Sequence, residues 1–138
     1  MIGFRFSGIV AASAVALALS GCSSGLGRPV REVVAVPGSD GVQHVEITAH
    51  SFWFDPNRVV VKAGVPVELR VKNGAFFVPH NLSCMAPAAS IQLDEGLGLF
   101  GDSEKAQFTP TTPGEYPFFC KVDGHGKKGM TGTIVVVP

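Results

Sequence analysis

The stretch YPFFCKVDGHGKKGM, residues 116–130, places three metal-ligating side chains in one short, glycine-rich segment. Cys120, His125 and Met130 lie in the spacing C-x4-H-x4-M. A thiolate, an imidazole and a thioether are soft to borderline ligands that suit copper, whereas magnesium and calcium prefer oxygen. The segment therefore predicts a copper site, and the fold must bring a further strong ligand to it.

That ligand is available forty residues upstream of Cys120, at His80 in FFVPHNLSC, residues 76–84. Two histidines and one cysteine in a plane, with a weak, long methionine bond on the axis, describe an electron-transfer copper site. Each residue alone has a simpler interpretation, because a lone histidine is usually a surface residue and a lone cysteine a small buried hydrophobe. The combination of the two motifs favours metal binding.

At these residues the chain strongly resembles the cupredoxins, the family of blue copper proteins. Pro79-His80-Asn81 is similar to the upstream histidine motif of plastocyanin-like members. The C-x4-H-x4-M spacing is closer to rusticyanin-like and sulfocyanin-like members, which also have Gly before the His and before the Met. The resemblance covers about residues 45–138. It implies a Greek-key β-sandwich and one type 1 copper ion bound by His80, Cys120, His125 and Met130.

Residue Asn81 is a candidate for a supporting role, because it could hydrogen-bond across to the Cys120 loop and hold the ligands in place. Its other interpretation is an ordinary polar strand residue. The sequence departs from many relatives at Asp123, where they have a proline before the Gly-His pair. That difference concerns the stiffness of the loop and leaves the ligand types unchanged.

Residues 1–21 have the features of a bacterial lipoprotein signal peptide. Arg5 precedes an uncharged, alanine-rich apolar run, and the run ends in Leu19-Ser20-Gly21-Cys22, which looks like a lipobox with Cys22 as the lipidated residue. A transmembrane anchor is the alternative, but residues 9–21 are well short of the roughly 20 needed to span a bilayer. We expect an exported protein anchored through Cys22 and facing the periplasm or the cell exterior.

The remainder divides into a lipidated N-terminus and linker, residues 22–43, and a copper-binding domain, residues 44–138. The linker is rich in Ser, Gly and Pro, which is typical of a flexible tether. Its residues 31–36, REVVAV, could instead add a first strand to the edge of the domain. Both alternatives stay open at this point.

From residue 44 the apolar residues recur with period two, as in residues 67–72, where Val, Leu and Val alternate with charged side chains. This pattern predicts half-buried strands. Further strands are expected at about 80–84, 106–110, 115–120 and 131–137. About seven short strands separated by turns predict an all-β antiparallel sandwich. Residues 85–104 look least strand-like and are expected to be a connection, either on the surface or beside the copper.

The balance of charge is neutral, with eleven basic and eleven acidic residues among 138, which argues against bulk nucleic-acid binding. The length provides one domain, and 17 Gly, 10 Pro and 10 Phe favour a turn-rich β protein.

The remaining cysteine and the two remaining histidines are interpreted as structural or surface residues. With Cys22 lipidated and Cys120 on copper, Cys84 has no disulfide partner, so we interpret it as a buried core residue; a second metal or redox thiol is the alternative. His44 and His50 are expected at the surface. These two histidines are too few for a three-histidine catalytic copper, so we expect no enzymatic activity.

Two functions compete: a one-electron carrier, and a protein that buffers copper or delivers it to a cuproenzyme. Delivery sites tend to expose the metal, whereas a cysteine loop encloses it, which favours the carrier. The loop contains Lys121, Lys127 and Lys128 against Asp123. This local positive charge predicts docking of redox protein partners with an acidic face, although a merely solvated loop is the alternative. We expect the protein to be a monomer.

Overall fold

The computed structural model describes residues 28–138 as a β-sandwich of two sheets. The strands of this part of the chain are β1 Glu32–Val34, β2 Gln43–His50, β3 Trp53–Asp55, β4 Arg58–Lys62, β5 Val67–Asn73, β6 His80–Ala86, β7 Ile91–Leu97, β8 Ser103–Phe108, β9 Gly114–Phe119 and β10 Thr131–Val137. One sheet has the order β1-β4-β10-β9-β6-β7 and the other the order β3-β2-β5-β8. The expected all-β sandwich is confirmed.

The strand pairing is mixed, whereas the sequence pattern predicted an antiparallel sandwich. Strand β4 pairs in parallel with both β1 and β10, and β2 pairs in parallel with β5. The remaining strand pairs are antiparallel. Parallel strands that pair need long crossover connections between them. The alternation of apolar and polar residues is the same in parallel and antiparallel strands, so it could not reveal the strand direction.

The core lies between the sheets and follows the alternation in the sequence. In β5 Val67, Leu69 and Val71 are buried, and the charged residues between them are not. The sheets meet at Phe54 and Phe118, whose rings pack edge to face at 5.2 Å between centroids. Period-two alternation is therefore a correct guide to the buried face here.

Two segments form strands where the sequence predicted a linker or left a connection. Residues Glu32–Val34 of the REVVAV stretch form β1, so the structure supports the strand alternative and the sheet begins upstream of residue 44. The expectation of a connection over residues 85–104 is wrong for Ile91–Leu97, which forms β7 along β6. Ile91, Leu93 and Leu97 are buried there, and the signal was a short alternation hidden between glycines and acidic residues.

Four connections meet at one end of the sandwich: residues 51–52, 74–79, 98–102 and 120–130. The register shows this, because His80 at the start of β6 faces Leu97 at the end of β7. Phe119 at the end of β9 likewise faces Thr131 at the start of β10. We call this the site end, since the predicted ligands lie in or beside these connections.

The predicted signal peptide, residues 1–21, the predicted lipidation site Cys22 and the linker up to residue 27 lie outside the described residues. Within residues 28–138, no helix has both the length and the apolar character that a membrane crossing requires.

Candidate metal centre

Three of the predicted ligands come together at the site end. His80 begins β6, Cys120 follows β9, and His125 lies in the connection to β10. Their ligand atoms lie within 4.8 Å of one another, and Cys120 Sγ is 3.5 Å from His125 Nδ1. The side chains are only 2%, 2% and 7% exposed, in that order. Side chains forty residues apart in sequence thus form one enclosed group of donors.

The state of His80 fits a metal ligand. Within the described residues, neither of its ring nitrogens has a hydrogen-bond partner, although the ring is buried. A buried polar atom left unpaired costs about 1–3 kcal/mol, so such atoms call for a specific explanation. Metal coordination is the explanation that the neighbouring Cys120 and His125 offer.

The protonation of both histidines also suits coordination, because imidazole binds metals in its neutral form. Burial, together with smaller contributions from the nearby His125 and His50, lowers the pKa of His80 to about 4. Burial likewise lowers the pKa of His125, and the charge of Lys128 acts in the same direction. Both rings are therefore neutral at neutral pH.

The predicted axial ligand, Met130, is fully buried and is tied to both loop ligands through its backbone. Its N–H donates to the carbonyl of His125 at 3.2 Å, and its carbonyl accepts from the N–H of Cys120 at 3.1 Å. The structure thus holds Met130 beside the other ligands. The coordination by its thioether stays a prediction.

Asn81 links the two ligand-bearing segments. Its backbone N–H donates to Cys120 Sγ at 3.4 Å, and its side-chain oxygen accepts from the N–H of Lys121 at 3.1 Å. The hydrogen bond expected across to the Cys120 loop is therefore present. Donors to a ligating sulfur restrict its position and tune its electron density.

Asp94, which no sequence motif singles out, completes this network. Its carboxylate accepts from Asn81 Nδ2 at 2.7 Å and pairs with Lys121 Nζ at 2.8 Å. These contacts orient the amide of Asn81, because its oxygen then points at the Lys121 N–H. Asp94 lies on β7, a strand that the sequence pattern does not predict.

A second missed residue is Asn73, the last residue of β5, which is fully buried. Its side-chain amide donates to the carbonyls of Val78 at 2.9 Å and Gly98 at 2.6 Å, and its oxygen accepts from the N–H of Ala75 at 2.8 Å. Asn73 therefore braces two connections of the site end. In the sequence, Asn73-Gly74 indicated only a turn.

One aromatic side chain, Phe52, packs on the ring of His125 from another connection. The ring of Phe52 meets the ring of His125 edge to face at 4.9 Å, and Lys128 Nζ lies 3.9 Å from the centroid of Phe52. Phe52 has φ +67°, a conformation that is rare for a bulky residue. The turn between β2 and β3 thus covers part of the His125 ring.

The remaining candidates lie outside the site. Cys84 is buried with a free thiol whose pKa burial raises to about 11, so the core interpretation is confirmed. His44 is exposed and bonds to Asp40 at 2.8 Å. His50 is half-buried and stacks on Trp53 with ring centroids 4.2 Å apart.

Comparisons with known proteins agree with this donor group. A family model described as "Cupredoxin-like domain" matches residues 9–136. Curated protein sequences contain no significant match.

Three solved structures illustrate the likeness in fold. Dithionite-reduced auracyanin from Roseiflexus castenholzii has a TM-score of 0.59 at 24% identity, over 69% of this chain and 97% of that one. The metal-binding domain of the Cu(I)-exporting ATPase CopA of Streptococcus pneumoniae, with Cu(I), has a TM-score of 0.59 at 22% identity, over 80% and 100%. Reduced rusticyanin has a TM-score of 0.56 at 22% identity, over 77% and 84%.

Proposed function

Since the chain belongs to the cupredoxin-like family, we propose that it is a type 1 copper protein that carries single electrons. His80, Cys120 and His125 are placed to bind one copper ion. Copper supplies a one-electron couple between Cu(I) and Cu(II) when bound there. The observation that carries the proposal is the enclosed group of one cysteine sulfur and two neutral imidazoles.

The surroundings of the ligands suit a carrier. Asn81, Asp94 and the backbone of Met130 hold the ligand-bearing segments by hydrogen bonds. Ligands held in place by the protein move little when the charge of the site changes, and burial excludes water from them. Both properties favour fast electron exchange over chemistry on a bound substrate.

Copper delivery is the alternative function, and the similarity to the CopA metal-binding domain gives it a specific basis. The burial of the donors argues against it. At 2% exposure His80 and Cys120 offer an incoming acceptor no direct access, whereas ligand exchange needs an open position. We therefore infer electron transfer as the primary role.

We infer no catalytic role. Outside the site, the sequence contains only His44 and His50, and they lie on different parts of β2. His44 is engaged with Asp40, and His50 is stacked on Trp53. Neither arrangement supplies the histidine cluster that a catalytic copper would require.

We further propose that the protein is exported, anchored through a lipidated Cys22, and docks an acidic redox partner. The exposed Lys127 and Lys128 support the docking, because they lie in the connection that contains His125. The lipobox-like residues 19–22 support the anchor.

Cysteine substitution tests the proposal most directly. We expect the protein with Cu(II) to show an intense visible thiolate-to-copper band and a narrow copper hyperfine splitting. Cys120→Ser should abolish the colour, because only a thiolate gives a strong charge-transfer band. Cys84→Ser is the matched control and should leave the band nearly unchanged. Loss of the band in Cys84→Ser would show that the ligand assignment is wrong.

A further inference from the structure

His125 is the donor that lies nearest the surface, and the ring of Phe52 covers part of it. His125 is 7% exposed, whereas His80 and Cys120 are 2% exposed and Met130 is fully buried. A molecule that takes the metal from the site has to displace a donor, and the most accessible donor is His125. The Phe52 ring packs on it edge to face, at 4.9 Å between ring centroids. The shortest way from solvent to the donor group therefore leads past Phe52.

Lys128 contacts the Phe52 ring as well. Its Nζ atom lies 3.9 Å from the ring centroid, which is the distance of a cation–π contact. Lys128 belongs to the single helical turn Gly126–Lys128, and its N–H donates to the carbonyl of His125 at 3.0 Å. The connection that supplies His125 thus also contacts the ring that lies on it. We call Phe52 and Lys128 the His125 cover.

The backbone at Phe52 does not favour a phenylalanine. Ser51 and Phe52 form the two-residue turn that joins β2 to β3. Phe52 has φ +67°, and glycine or asparagine is the preferred residue for such a conformation in a turn. A bulky residue at this position raises the free energy of the folded state. The contacts of its side chain with His125 and Lys128 offer a reason for a phenylalanine here.

The other sides of the donor group are closed by hydrogen bonds of the backbone in the described part of the chain. The Asn81 N–H donates to Cys120 Sγ, and the backbone of Met130 is bonded to both Cys120 and His125. These bonds join strands to the connection 120–130, so opening them disrupts the sheet end itself. Phe52, in contrast, contacts His125 through its side chain alone. Rotation of side chains is sufficient to open this side.

We propose that Phe52, held by Lys128, is a positioning residue that keeps His125 on the metal and thereby slows the exchange of copper with ligands outside the protein. The inference rests on the proposed function as a copper carrier. An electron can cross a packed ring, whereas a chelating group reaches the site only after the imidazole has turned outward. The His125 cover thus permits electron exchange and restrains copper exchange. Phe52 then distinguishes a carrier from a protein that delivers copper.

The transfer of Cu(I) to an external chelator tests the proposal. The full chain is loaded with copper, reduced, and mixed with an excess of a chelator that forms a coloured Cu(I) complex. Phe52→Gly removes the ring and suits the φ of +67°, whereas Phe52→Tyr retains the ring. Phe100→Ala is the matched control, because Phe100 is 53% exposed at the same end and its ring stacks on Phe76.

We expect Phe52→Gly to release copper about three- to tenfold faster than the unchanged chain, which is the effect of losing one aromatic pair. Phe52→Tyr and Phe100→Ala should release it at the rate of the unchanged chain. Lys128→Gln should accelerate the release less than Phe52→Gly does, because the ring stays in place. The visible thiolate-to-copper band should persist in all these variants, since no donor is replaced.

Chemical denaturation of the metal-free proteins separates positioning from a general loosening of the fold. Phe52→Gly should shift the unfolding midpoint little, because the relief of the turn offsets the lost contact of the ring. Faster copper release together with a large loss of stability in the metal-free variant would make Phe52 a structural residue and overturn the proposal.

Two further results would overturn it. Equal release rates for Phe52→Gly and the unchanged chain would show that the ring does not restrain His125. An equal acceleration in Phe100→Ala would show that any loosening of the site end opens the site. A failure of the proposed function is seen separately, because the unchanged chain would then lack the visible copper band before any chelator is added.

Discussion

His80 is the ligand whose state depends most on burial. Its ring is 2% exposed, and within the described part of the chain neither nitrogen finds a hydrogen-bond partner. Low dielectric makes an unpaired polar atom expensive and disfavours the imidazolium. The same burial that costs stability without a metal therefore keeps the ring neutral and ready to bind one.

At the same scale, Met130 should tune the site more than it holds the metal. Met130→Leu should keep copper bound and coloured while raising the reduction potential, because a weak donor to Cu(II) is removed. Leucine preserves the buried volume, so the fold should be little affected. Voltammetry and the visible spectrum of the variant measure the two effects. Complete loss of copper would mean that Met130 is a primary ligand in a different geometry.

At the scale of the elements, the site depends on where strands end. β6 begins at His80, β9 ends just before Cys120, and β10 begins just after Met130. β7 adds Asp94 to the Asn81 network from the edge of the sheet. The strands thus deliver each donor segment to one end, and hydrogen bonds between the connections fix their relative positions.

Asn73 should therefore contribute strongly to stability. Asn73→Ala removes three side-chain hydrogen bonds and leaves buried partners unsatisfied, which should cost about 2–3 kcal/mol in the free energy of unfolding. Chemical denaturation measures this change. Lys72→Ala, at the exposed neighbouring position, is the control and should change stability by no more than about 0.5 kcal/mol. Equal effects of the two substitutions would contradict the bracing role.

Faster amide hydrogen exchange at Ala75 and Gly101 should accompany the loss of stability in Asn73→Ala. These N–H groups donate to the Asn73 side chain and carbonyl, respectively. Local opening of the two connections would expose them to solvent.

On the scale of the whole molecule, one end of the sandwich contains nearly everything that bears on function. The donor group, the exposed rings of Phe76, Phe77 and Phe100, and the point where the chain enters the domain all lie at the site end. The sequence is neutral overall, so the local charge around His125 determines long-range attraction more than the net charge does. The arrangement therefore favours a molecule that interacts with other molecules through its site end.

That charge predicts a dependence on salt. Electron-transfer rates with an acidic partner should fall as ionic strength rises, because the Debye length shrinks to about 10 Å at 0.1 M. Replacing Lys127 and Lys128 by Glu should slow association without changing the copper spectrum, as stopped-flow kinetics would show. Lys62→Glu, at the end of β4 remote from the site end, is the control. Rates that respond to neither salt nor the paired substitution would exclude these lysines as the docking site.

The sequence by itself determined the ligand types and most of the strands. The motifs C-x4-H-x4-M and Pro-His-Asn indicate copper, because the metal that a residue prefers depends on the type of its side chain. In addition, Cys120 and His125 are near each other along the chain, so their proximity needs no distant contact. Period-two alternation likewise depends only on local geometry, which is why β5 and β10 were found.

Only the tertiary structure decided what depends on distant partners. β1 is a strand because β4 lies beside it, and β7 is one because β6 does. Asp94 acquires its role from Asn81 and Lys121, which are 13 and 27 residues away, and Asn73 reaches the second connection through Gly98, 25 residues away. No local pattern encodes these contacts. The entry of the chain at the site end follows from parallel pairing, and parallel pairing is a property of the assembled sheet.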